Sequence, residues 1–170
     1  MSETVVYGHG WRPGVIGDIV RLHAIYYARH WQLGAGFEAN VAAALGAFVE
    51  SYDSNVSRLF TASVCDRLVG SLTIDGTSDR NVGARLRWFI IAGEAQGQGT
   101  GKTLMQMAMG FLAETRSRLC YLTTFAGLDS ARTLYERHGF RLTDEVPGRK
   151  LGTAIAHAAL RMAFGRGALT

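Results

Sequence analysis

The chain has little of what a disulfide-stapled, metal-stapled or membrane-spanning protein needs. Only two cysteines, Cys65 and Cys120, occur in 170 residues, too few for a disulfide framework or a four-cysteine metal site, and both are expected to be ordinary reduced thiols. The five histidines, His9, His23, His30, His138 and His157, have no ligand-like spacing, so no metal is expected. Two prolines and dispersed glycines exclude a Pro-rich or Gly-rich tether. No apolar run reaches the length of a membrane helix, and the amino terminus MSETVVYGHG lacks the basic and apolar regions of an export signal. A cytoplasmic protein with no membrane contact is the expectation. Charge of one sign is scarce as well: a net +4 from scattered lysines and arginines does not build a specific nucleic-acid surface.

What is present is enough apolar material, 48% of residues, to bury one core, with no linker dividing it. Residues 1–170 are therefore expected to form a single domain. Hydrophobic periodicity predicts a short strand at Thr4–Tyr7, helices at Val15–His30 and Phe37–Ser51, and a hairpin of Arg58–Cys65 and Leu68–Asp75 turning at Asp66-Arg67. Ala84–Ala92 reads as the next strand, continuously apolar toward its end as if buried on both faces. A helix at Lys102–Arg116, a strand at Cys120–Phe125, a helix carrying Tyr135 capped by Asp129 or Ser130, and a hairpin of Phe140–Glu145 and Ala158–Phe164 complete the chain. The predicted order is β-α-α-β-β-β-α-β-α-β-β.

Residues Gln96 to Gly101, QGQGTG, join the apolar run Trp88–Gly93 to the helical pattern that starts at Lys102. A strand led through glycines into a helix amino terminus makes an anion site, because unpaired N–H groups and the helix dipole point the same way. The spacing rejects two phosphate loops. Gly101-Lys102-Thr103 supplies the end of a Walker A motif, but Gln96 stands where its first glycine belongs, and Cys120–Phe125 (CYLTTF) offers no Walker B aspartate. G-x-G-x-x-G fails because Lys102 occupies the third glycine position.

Gln96, Gly99 and Gly101 instead fit (Gln or Arg)-x-x-Gly-x-(Gly or Ala), and Ala131, Leu134, Tyr135, Gly139 and Phe140 fit A-x-x-L-Y-x-x-x-G-F. In this order the two segments resemble the pyrophosphate loop and the following helix of the GCN5-related N-acetyltransferase (GNAT) superfamily. Leu128 departs from the asparagine common in that family, so no cofactor contact is carried over to it. The stretch His9–Trp31 also looks like the acetyltransferase half of bacterial proteins in which such a domain follows a MarR-type DNA-binding domain, a half this chain is expected to lack.

The resemblance implies an α/β (α+β) fold with a central mixed, mostly antiparallel, splayed sheet flanked by helices. It implies acetyl-CoA as acyl donor, with its pyrophosphate at Gln96, Gly97, Gln98, Gly99, Thr100, Gly101 and Lys102, and its pantetheine arm along Phe89, Ile90 and Ile91. At Gly99 and Gly101 a β-carbon is expected to keep the backbone from wrapping phosphate. Tyr135 is the expected acid for the departing sulfur, and Glu94 the first candidate base, with His23, His30 and Glu38 as others. Tyr26, Tyr27, His30, Trp31 and Phe37 suggest an acceptor pocket for a small-molecule amine or a peptide or protein amine, with Glu38 countering an ammonium group. A homodimer is left open. Neither cysteine lies in a nucleophile motif, which favours direct transfer. The alternative is a CoA-binding sensor or interaction module of the same fold without turnover.

Overall fold

Alternating side chains on a central hairpin decide how the layers stack. The computed structural model describes residues 4–77, 82–115, 117, 119–125, 127–146 and 159–165. β1 (Val6–His9) leads into α1 (Val15–Trp31) and α2 (Ala35–Glu50), followed by β2 (Arg58–Val64), β3 (Arg67–Asp75) and β4 (Ala84–Ile91). A 3₁₀ turn at Gly93–Ala95 precedes α3 (Thr100–Glu114), after which come β5 (Leu119–Phe125), α4 (Asp129–Arg137), β6 (Arg141–Val146) and β7 (Ala159–Gly165). The element order is the expected one, with ends moved by a residue or two. One sheet holds the strands in the order β1-β2-β3-β4-β5-β7-β6, and β4–β5 is its parallel pair.

On β2 and β3, Phe60, Ala62, Val69, Leu72 and Ile74 pack with Leu104, Met105, Ala108 and Phe111 of α3. Leu59 and Leu68 face the other way, into a second core with Val15 and Ile19 of α1 and Phe37, Val41 and Leu45 of α2. β2 alternates between two cores on opposite faces, and β3 does so across a register shift opposite Ala62 and Ser63. The hairpin turn lies one residue earlier than expected: Val64 pairs with Arg67, and the turn residues are Cys65 and Asp66, with φ of 47° and 61°. Two positive-φ residues give the turn whose twist matches the flanking strands.

β4 departs from a regular strand where the site begins. Thr73 pairs with Arg87 but Ser71 with Ile90, so Trp88 and Phe89 together oppose Leu72, and Trp88 has φ 47°. This bulge reverses the alternation. Ala84 and Leu86 before it, and Phe89 and Ile91 after it, belong to the α3-side core, while Trp88 and Ile90 pack with α1 and α2. The Ser71 hydroxyl donates to the Trp88 carbonyl at 2.8 Å, satisfying a group beside the bulge. The apolar run is therefore covered on both faces, as expected, with a change of face inside it.

β4 and β5 pair only at Ala84–Cys120 and Arg85–Tyr121. Beyond that point β4 stays on β3 as far as Ile91 and β5 stays on β7 as far as Phe125, so their facing edges part. At the join, a β-carbon on Gly83 (φ 118°) would collide with the Leu119 carbonyl oxygen, so only glycine permits this approach. After β5, α4 is capped by Leu128 with no side-chain hydrogen bond. Asp129 and Ser130, expected as caps, are already inside the helix, where Asp129 still complements the dipole.

Candidate active site

A cleft of about 820 Å³ runs from the amino terminus of α3, through the gap between β4 and β5, to the facing sides of α1 and α2. Its first arm is walled by Gly97, Gly99, Gly101 and Lys102 and by the start of α4; its second by His23, Tyr26, Tyr27, Phe37, Arg85 and Arg87, among others.

In the first arm the wall is largely backbone. Gly97 and Gly99 have φ of 72° and 84°, and a β-carbon on either would meet nothing within 4 Å. Glycine is needed there for the left-handed backbone facing open space. Gly101 has a packing reason to be glycine beside the one expected: a β-carbon would stand 3.3 Å from Phe89 Cζ and 3.5 Å from Leu134 Cδ2, so its smallness lets α3 lie against β4 and α4. The Thr103 N–H bonds to the Gly99 carbonyl at 3.0 Å, which leaves the amides of Thr100, Gly101 and Lys102 as orphan donors of the helix terminus. Thr100 Oγ1 is buried there without a hydrogen-bond partner. Such a set of donors fits a phosphate-bearing group.

The two glutamines brace this loop. Gln96 Nε2 donates to the Ile91 carbonyl at 3.0 Å and Gln98 Nε2 to the Glu94 carbonyl at 2.8 Å. Lys102 is exposed at the cleft wall. Ile90 is buried toward α1 and α2, and Phe89 and Ile91 are packed against the α3-side core. What these three residues offer the gap is chiefly their backbone edge.

Tyr135 stands on α4 beside the gap, buried, with its ring centroid 5.9 Å from that of Phe89 and 6.0 Å from that of Phe140. Burial, reinforced by the Tyr27 phenol, pushes its pKa well above the ordinary tyrosine value, so it remains a protonated donor at neutral pH. Tyr27 is raised too, by burial and then by Tyr26. Next to it, His23 stacks on the Tyr27 ring at 6.3 Å. His23 Nδ1 lies 2.8 Å from the Ile19 carbonyl; a carbonyl only accepts, so Nδ1 carries the proton and Nε2 the lone pair. Burial lowers the His23 pKa to about 4, which keeps the ring neutral.

Glu94 lies apart from the cleft wall. Its side chain is 54% exposed and ion-paired with Arg67, and the Arg67 hydrogen bond holds its carboxyl below the usual range. A carboxylate so occupied is not placed to take a proton inside the cleft. His30 and Glu38 are exposed and also off the wall, and Trp31 lies against Gly127 instead. Tyr26, Tyr27 and Phe37 do line it. Two arginines escaped the sequence reading. Arg87 donates from Nη1 to Asp75 at 3.0 Å with its guanidinium 4.0 Å over the Trp88 ring, and Arg85 lies 6.0 Å from the Tyr121 ring centroid. Their signal was visible: two cations alternating with Ala84 and Leu86 in an otherwise apolar strand.

A family model described as an acetyltransferase (GNAT) domain matches residues 55–142, just over half of the 170-residue chain. The chain belongs to the GNAT acetyltransferase family. Among solved structures, the GNAT acetyltransferase from Streptococcus pneumoniae aligns with a TM-score of 0.72 at 15% identity over 96% of this chain and 100% of that one. The spermidine N-acetyltransferase of Vibrio cholerae, in complex with CoA and spermine, gives 0.70 at 18% identity, covering 95% of each chain. Salmonella typhimurium yncA with its cofactor acetyl-CoA gives 0.70 at 10% identity over 95% and 93%. No curated protein matches the chain. At these identities the likeness is one of fold. The GNAT match holds the glycine loop and Tyr135 but stops short of α1 and α2, so it spans the first arm of the cleft and leaves the helices of the second outside.

Proposed function

We propose that this GNAT protein transfers an acetyl group from acetyl-CoA directly to a primary amine of a small molecule or a peptide. The observation that carries the reading is the continuity of three features: orphan amides at the α3 terminus, unpaired edges where β4 and β5 part, and Tyr135 beside that gap. Acetyl-CoA supplies the activated thioester and leaves as a thiol. The Thr100, Gly101 and Lys102 amides hold its pyrophosphate, aided by the helix dipole. The edges of β4 and β5 pair with the amides of its pantetheine arm. Tyr135, held protonated by burial, donates to the sulfur as negative charge develops there. His23 Nε2 accepts a hydrogen bond from the incoming amine; with a pKa near 4 it orients the amine, while water takes the proton. The same proposal takes residues 1–170 as one cytoplasmic domain, and the likeness of His9–Trp31 to MarR-linked proteins as a likeness to their acetyltransferase half.

The test incubates the purified chain with acetyl-CoA and a broad panel of amines and peptides, reading free thiol and product mass. Stoichiometric thiol and N-acetylated product are expected. Tight CoA binding with no product across the panel favours the non-catalytic module, and a burst of acyl-enzyme rejects direct transfer.

A further inference from the structure

The base of the second arm carries two guanidinium groups. Arg85 and Arg87 are two positions apart on β4, on the face opposite Ala84 and Leu86, and both line the cleft. Arg87 is 19% exposed and uses one N–H on Asp75. A guanidinium has five such donors in a planar fork suited to a carboxylate. Stacking on Trp88 at 4.0 Å holds that plane in place. Asp75 is 2% exposed and already accepts from Arg87 and from Thr77. Among the described residues the acid on the cleft wall is Asp129, which belongs to the first arm at the start of α4. Along the described wall of the second arm a polyamine would thus meet guanidinium groups and aromatic rings, the Asp75 carboxylate being already engaged.

We propose that the acceptor is a zwitterionic amine, an α-amino acid with an apolar side chain, whose carboxylate is held by Arg87 with Arg85 beside it. The inference takes the reaction from the acetyl-transfer reading, but the anion site stands on the geometry of the arm. Tyr26, Tyr27 and Phe37 offer an apolar lining for the side chain. β4 and β5 are joined at Arg85 and Tyr121 and part beyond them, so the carboxylate lies at the closed base and the amine points into the open gap. Tyr27 of this arm and Tyr135 line the same cleft, so the amine end of the second arm opens toward the group that serves the sulfur.

The experiment uses L-phenylalanine, L-leucine and L-methionine, their carboxamides, and spermidine. Each is titrated calorimetrically into the CoA-saturated chain and assayed for acetyl-CoA-dependent turnover. The free amino acids are expected to exceed their amides by about 10- to 100-fold in affinity and in kcat/KM, the range of a charge-assisted pair, with spermidine weaker still. Arg87→Gln should erase this preference. Because that change leaves Asp75 buried without its partner, the double variant Asp75→Asn/Arg87→Gln, which removes both charges, is measured beside it and should also lose the preference. Amides or spermidine bound as well as the acids, or a preference that survives in a folded Arg87 variant, overturns the proposal. Arg87-dependent binding of the acids without acetylation upholds the anion site and defeats the transfer reading. Acetylation of amides or spermidine alone does the reverse, and no binding of any amino acid overturns the site.

Discussion

At the α3 end the cleft is walled by backbone, the amides of Thr100 to Lys102 and the freed edges of β4 and β5; at the α1/α2 end it is walled by side chains, His23, Tyr27, Phe37, Arg85 and Arg87. Backbone donors serve any chain that folds this way, provided glycine stands where φ is positive, so the first arm is written as a short motif and falls within the family match. Side chains brought from three elements leave no contiguous signature. The first arm is thus general and the second particular, and four perturbations test that division.

Tyr135→Phe carries the largest expected effect. The ring keeps its contacts with Phe89 and Phe140, so CoA affinity and stability should change little. Loss of the O–H should slow single-turnover acetylation by roughly 10²- to 10⁴-fold, about 3 to 5.5 kcal/mol of barrier. A chemical rate near that of the unmodified chain would remove Tyr135 from the mechanism.

His23 tests the second arm through pH. Its folded pKa is lowered to about 4 by burial, against about 6.5 in the unfolded chain. The unfolded chain binds the extra proton first, so the stability tied to neutral His23 is complete above pH 6.5 and lost as pH falls toward 4. The loss should reach about 3 kcal/mol. Urea unfolding at several pH values should show His23→Gln losing less stability than the parent across that window; parallel curves would mean that the imidazole is not held neutral.

Gly99→Val strikes the first arm. A branched residue at φ 84° costs about 1 to 3 kcal/mol in backbone strain and displaces the phosphate-facing amides, so CoA affinity should fall about 10- to 100-fold. Calorimetry beside a thermal melt separates the two effects, and unchanged affinity in the folded variant refutes the phosphate-loop assignment. The smallest effect belongs to Glu94→Gln. Exposed ion pairs contribute about 0 to 1 kcal/mol, and the group lies off the cleft wall, so turnover should stay within about twofold of the parent; a tenfold loss would restore Glu94 as the base.

The elements were legible because each carries its own period, composition or punctuation: α1 and α2 by helical spacing, β2 and β3 as apolar-rich runs about a turn, the loop by its glycines. The turn at Cys65-Asp66 was not, since a cysteine with φ 47° breaks the residue preferences that mark turns. Nor was the place of Glu94. It follows β4 in sequence just before the loop, yet Arg67, distant along the chain, draws it outward. The packing role of Gly101 was hidden in the same way, because its crowding by Phe89 and Leu134 comes from two other elements.

The sequence by itself determined the order of the elements, the glycine loop and the helix that carries Tyr135, because period, caps and backbone freedom are local properties of consecutive residues. Tertiary structure alone decided how the sheet opens and what faces the opening. The bulge at Trp88 turns Phe89 toward Tyr135, β5 follows β7 instead of β4, Glu94 is taken by Arg67, and Arg87 meets Asp75 at the base of the second arm. Each of these depends on which strand or side chain competes successfully for a partner far away in sequence, and that contest is settled only when the whole sheet has assembled.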